Sequence, residues 1–154
     1  MKGTDARQMS IDPETFQLFE ESNFDAYDSG SDRYPAVLKT GLNQHNLELS
    51  DVLAVTQDLG LWAICTVGVF RADLRGVFKK RIEVDELIRY SQVSSIEEEP
   101  SGPHTKRIVL KGTDGKEIAR INFSAGGMDN TPDMAGRYRS RVYQILRQAM
   151  ASGR

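Results

Sequence analysis

Two runs of side chains in this sequence could do chemistry. One is basic, Arg71, Arg75, Lys79, Lys80 and Arg81, and the other is acidic, Glu97, Glu98 and Glu99. A basic loop beside a sheet can collect phosphates or an acidic peptide, because fixed positive charge concentrates anions. Asp73, Glu83, Asp85 and Glu86 share that span, however, and leave about one net positive charge, where each unopposed basic group near a membrane is worth roughly 1 kcal/mol. Anionic lipid or another phosphate-bearing ligand is therefore the second-ranked expectation for this patch, and its contact with a membrane should be weak. The three glutamates could suit a hard cation, but neighbouring strand residues point to opposite faces and do not converge.

Other reactive groups are sparse. His45 and His104 have no Cys or carboxylate neighbours at zinc-ligand spacing. Gly126-Gly127 lacks the Lys-Ser or Lys-Thr of a phosphate loop, and there is no strand-to-helix serine elbow. Catalysis needs a nucleophile, a base and an orienting group within mutual reach, and no spacing here supplies them. The expectation is a non-enzymatic protein with no cofactor and no metal site. With a sequence pI near 5.7 and aromatics that do not interleave with basic residues, nucleic acid is not an expected partner. Only the arginines of the last helical segment favour it.

The elements that must position these residues follow from length and periodicity. A chain of 154 residues matches one domain, which at that size buries roughly 68–70% of its unfolded surface. The longest apolar run, Gly60 to Phe70, falls short of the roughly 20 residues that span a bilayer, and the N-terminal region has no apolar signal core. The single cysteine, Cys65, sits in that apolar run and reads as a buried thiol, so a reducing cytoplasm is expected. Charge is uneven: residues 1–32 hold eight acidic and two basic groups, and residues 33–154 hold fourteen acidic and eighteen basic groups.

Residues 1–32 read as an acidic helical extension and linker. Asp12-Pro13 offers an N-cap and a first-turn proline, Phe16 and Phe19 give a short apolar face, and Asp28 to Asp32 form a break. Phe16 and Phe19 are the candidates for docking this extension onto the rest of the chain or onto a partner. A second helical run opens at Tyr34-Pro35, with Leu38 and Leu42 one turn apart.

From Val52 the period shortens to that of strands. Val52–Val55 and Leu61–Thr66 are apolar on both faces and predict central strands, separated by the loop Gln57-Asp58-Leu59-Gly60. Gly68–Arg71 follows, then a turn over Ala72–Gly76 leads into Val77–Val84, where Phe78, Ile82 and Val84 would share a face. Asp85–Ile88 predicts a helical turn, and Tyr90–Glu98 an irregular strand. A type I′ turn at Asp114-Gly115 would set Leu110 opposite Ala119 and Ile108 opposite Ile121, so both apolar sets meet one core. Thr131-Pro132-Asp133 starts the last helix, and Met134, Tyr138, Val142, Ile145 and Ala149 form its apolar stripe, with Arg137, Arg139, Arg141 and Arg147 largely outside it.

This order of pieces resembles the bacterial branch of the pleckstrin-homology-like (PH-like) superfamily. The resemblance is carried by Trp62–Thr66 with Gly68–Phe70, by Arg81–Ile88, by Ile108–Leu110 with the Asp114-Gly115 hairpin, and by the final helix; it covers about two thirds of the chain. Strands followed by one closing helix predict a mainly β (α+β) domain over residues 33–151, and the resemblance implies a bent antiparallel barrel of about seven strands capped by that C-terminal helix. Members of the superfamily bind phosphoinositides, peptides or other proteins. The lipid-binding members carry basic residues in the loop joining the first two strands, which here is Gln57-Asp58-Leu59-Gly60 and holds no Lys or Arg. The resemblance therefore implies a protein- or peptide-binding adaptor. An exposed edge strand would also give it a route to homo-oligomers.

Overall fold

In the computed structural model of the protein, residues 11–13, 33–57, 60–76, 78–79, 81–100, 105–124 and 132–153 are described. Among the described elements helix α1 (Arg33–Gln44) comes first. It buries Val37, Leu38 and Leu42, the last two on one turn as their spacing predicts. It ends where Asn46 takes a left-handed φ of 58°. Leu47 N–H then bonds Leu42 O, and Asn46 N–H bonds Asn43 O, which satisfies the carbonyls a helix end leaves open.

Eight strands among the described residues form two antiparallel sheets, so the protein is mainly β. The first sheet holds β1 (Val52–Gln57), β2 (Leu61–Cys65), β3 (Gly68–Arg75) and β4 (Arg81–Val84) in that order, with β5 (Ile88–Arg89) paired to the start of β3. The second is a meander of β6 (Val93–Pro100), β7 (Thr105–Gly112) and β8 (Glu117–Ser124). Helix α2 (Pro132–Gly153) closes the chain. The sheets do not join into the expected barrel, and the strand count is eight instead of about seven. No described helix is long and apolar enough to cross a membrane.

The first sheet is covered on both faces at β2, which is buried at every position. Phe70 and its cross-strand partner Ala63 face α1, whose Gly41 lies so close that a Cβ there would sit 2.3 Å from the Phe70 ring. On the other side α2 packs against β6, β7 and β8 and also touches β1 and β3. Its buried stripe is Tyr138, Val142, Ile145, Leu146, Ala149 and Met150. The Tyr138 ring meets Phe123 at a centroid distance of 5.2 Å, and its hydroxyl donates to Val55 O at 2.8 Å. One side chain thus ties α2 to both sheets. Met134 lies outside the described side chains.

Several local expectations need correction. β1 is an edge strand, not a central one; its apolar faces are both covered, so composition alone could not distinguish the two. Strand β3 runs straight through the turn expected at Ala72–Gly76, because Phe70, Ala72 and Leu74 alternate strictly with Arg71, Asp73 and Arg75. Phe78 accordingly sits in the β3–β4 hairpin, fully exposed, and shares no face with the half-buried Ile82 and Val84. The helical turn expected at Asp85–Ile88 appears later, as a 3-10 turn at Tyr90–Gln92.

The β7–β8 register is the expected one, with Leu110 opposite Ala119 and Ile108 opposite Ile121, but the turn differs. Gly115 has φ +81°, Asp114 is not left-handed, and Gly115 N–H bonds Gly112 O, so the loop is Thr113-Asp114-Gly115 instead of a type I′ pair. The odd residue is absorbed at Ile118, which the register skips and which stays exposed.

Candidate functional site

Of the basic residues read from the sequence, Arg71, Arg75 and Arg81 lie along one charged stripe. Arg75 pairs with Arg81 across β3 and β4, Asp73 pairs with Glu83, and strand alternation sets Arg71 on the same face. Arg71 bonds Asp85 at 3.2 Å, while Arg75 and Arg81 share Glu83 at 3.2 and 2.8 Å. The Arg81 hydrogen bond, joined by Arg75, holds the Glu83 carboxyl below its ordinary range. Lys79 is exposed at the hairpin tip and makes no ion pair among the described residues, and Lys80 lies outside them. The stripe is therefore a ladder of alternating charge in which the arginines are already engaged.

The glutamates behave similarly. Glu97 meets Lys111 at 3.3 Å, Glu98 meets Arg139 at 2.8 Å and Glu99 meets Arg107 at 3.0 Å, so each carboxylate has its own cation. Among the described residues no three His, Cys, Asp or Glu side chains cluster as metal ligands. His45 stacks at a tilt on Phe70, with Nε2 2.9 Å from Asp85 O, and His104 lies outside the described residues. Cys65 is fully buried, and burial, aided by the Asp51 charge, pushes its thiol from 9.0 up to about 12. It is not poised as a nucleophile.

A different place holds a built recognition geometry. At the start of β1 the pairing with β2 slips between Val52 and Ala54, which leaves Leu53 as the residue of a bulge. The Leu53 carbonyl accepts the Asp12 N–H at 2.8 Å, so Asp12 sits against the outer edge of the sheet. The Asp12 carboxylate meets Arg141 of α2 through both oxygens, at 2.5 Å from one guanidinium nitrogen and 3.1 Å from Nε. This fork-to-fork contact is among the stronger hydrogen-bonded pairs available to side chains. Its carboxylate is mostly buried, with 13% exposure, against 37% for Arg141. Ile11 beside it packs on the hydrophobic core.

The resulting groove has a volume of about 510 Å³ and is lined by residues 11–13, by Leu53 and Thr66, and by Arg141, Ile145 and Ala149 on α2. Thr66 is fixed there by Asp51, through its N–H to Asp51 O at 2.9 Å and its hydroxyl to the carboxylate at 3.2 Å. Docking of the acidic extension was expected on Phe16 and Phe19, which lie outside the described residues. Ile11 and Asp12 take that role among the described residues. Asp12-Pro13 reads as a helix start, and Pro13 is helical, so the local signal accounted for the aspartate without reference to Arg141. The chain matches no protein-family model, no curated protein and no solved structure.

Proposed function

We propose that this chain is a non-enzymatic peptide-binding module whose site is the groove between the β1 edge and α2. The observation that carries the reading is Asp12, held at once by the Leu53 carbonyl and by Arg141. An extended partner segment would add to the β1 edge through its backbone, as in strand-addition recognition. Arg141 would take an acidic side chain bidentately, and a neighbouring apolar side chain would sit where Ile11 packs. The ligand class is thus an extended segment with an apolar residue followed by an acidic one. Residues 11–13 occupy that place in cis, so a partner competes with the chain's own N-terminal segment.

The reading also retains kinship with PH-like domains, supported by strands that precede a capping C-terminal helix. It places the protein in a reducing cytoplasm, where the lone buried thiol would stay reduced.

The test uses the full chain carrying Asp12→Asn, which loosens the resident segment, and a fluorescent peptide copying residues 8–16. Saturable anisotropy change is expected, and adding Arg141→Gln should weaken it about tenfold or more, the loss of a charge-assisted pair. Absence of binding, or binding indifferent to Arg141, contradicts the proposal.

A further inference from the structure

The β3–β4 hairpin carries a second surface, unrelated to the groove. Among the described residues, Phe78 is fully exposed, and the next most exposed large hydrophobic, Ile118, reaches only 40%. An aromatic side chain standing wholly in water at a hairpin tip gains nothing from the fold. Lys79 beside it is exposed, and Arg81 at the base of the tip has 77% of its side chain exposed. Residues 75–83 hold four basic groups against the single carboxylate of Glu83. The side chains that engage Arg75 and Arg81 therefore leave the tip itself positive.

We propose that this tip is a membrane contact, with Phe78 entering the interfacial layer of an anionic bilayer while Lys79 and Arg81 lie against its headgroups. A protein partner fits these features less well. A stable protein interface needs an apolar core and roughly 800 Å² from each side, whereas one aromatic ringed by exposed cations offers neither. A lipid interface accepts a single apolar side chain flanked by basic residues, and negative headgroups complement the charge. The expected affinity is low, since one aromatic and a few cations form a reversible anchor. The basic residues alone would hold a bilayer only weakly; the apolar tip adds the largest single contribution.

The test is sedimentation of the full chain with vesicles of phosphatidylcholine, with and without phosphatidylserine. Binding should require phosphatidylserine and fall with added salt. Phe78→Ala should lower the partition coefficient about tenfold, and Lys79→Ala about fivefold. Both side chains are exposed, so circular dichroism should show both variants folded. Failure to bind anionic vesicles at low salt overturns the proposal, as does binding that Phe78→Ala leaves unchanged. Neither result bears on the groove, because Arg141 and Asp12 are intact in every variant.

Discussion

Asp12 and Arg141 stand 129 residues apart in the sequence and meet through a two-pronged ion pair on the outer edge of the first sheet. The contact links the acidic N-terminal region to the more basic remainder of the chain. It also joins the edge strand to the capping helix, since the same aspartate donates its N–H to Leu53.

The orientation of α2 can be checked by two substitutions on it. Val142 is fully buried, so Val142→Asp would leave a charge without a partner and should cost about 3–5 kcal/mol. Arg139 pairs with Glu98 near the surface, so Arg139→Ala should cost no more than about 1 kcal/mol. Urea midpoints that move equally in both variants would show that α2 faces another way.

Seating of α1 depends on Gly41. An alanine raises helix propensity by about 1 kcal/mol, yet its Cβ would lie 2.3 Å from a Phe70 ring that is fully buried and held against His45. Overpacking of that kind costs about 1–3 kcal/mol. Gly41→Ala should therefore destabilise on balance, and a raised melting temperature would mean that α1 does not pack on Phe70.

The β7–β8 turn rests on the left-handed Gly115, where nothing lies within 4 Å of an added Cβ. Gly115→Val should lower stability by about 1 kcal/mol or more through backbone strain alone, because a β-branched residue resists positive φ. An unchanged urea midpoint would refute the turn.

Alkaline pH should weaken the fold in a defined order. Burial raises the thiol of Cys65 from 9.0 to about 12 and pushes the phenols of Tyr90 and Tyr138 above their ordinary value of 10.0. For Tyr90 the Cys65 charge adds to this, and for Tyr138 the Thr56 hydroxyl partly offsets it. The folded state then keeps protons that the unfolded chain releases, so these groups leave stability flat below pH 9 and reduce it as pH rises from 9 toward 12. One fully differential proton gives a slope of about 1.4 kcal/mol per pH unit. Urea midpoints at about pH 8 and about pH 10 should fall in the unaltered chain and fall less in Cys65→Ala; equal drops would remove Cys65 from the account.

Much of the scaffold was legible because periodicity is local. The stripe from Tyr138 to Ala149 and the pairing of Ile108 with Ile121 are set by which residues are apolar at helical or strand spacing. Where two local signals competed, the reading failed. Asp73 and Gly76 suggested a turn, yet the alternation of Phe70, Ala72 and Leu74 carried β3 through it. The Leu53 bulge and the meeting of Asp12 with Arg141 were not legible, because each depends on which elements become neighbours in space.

The most direct test of the groove is competition between the resident segment and a free one. The labelled peptide copying residues 8–16 should bind Asp12→Asn about tenfold or more tightly than the unaltered chain, because the substitution removes the carboxylate that holds the resident segment on Arg141. Equal or weaker binding to Asp12→Asn would contradict the account, since it would mean that Asp12 does not occupy the site that receives a partner.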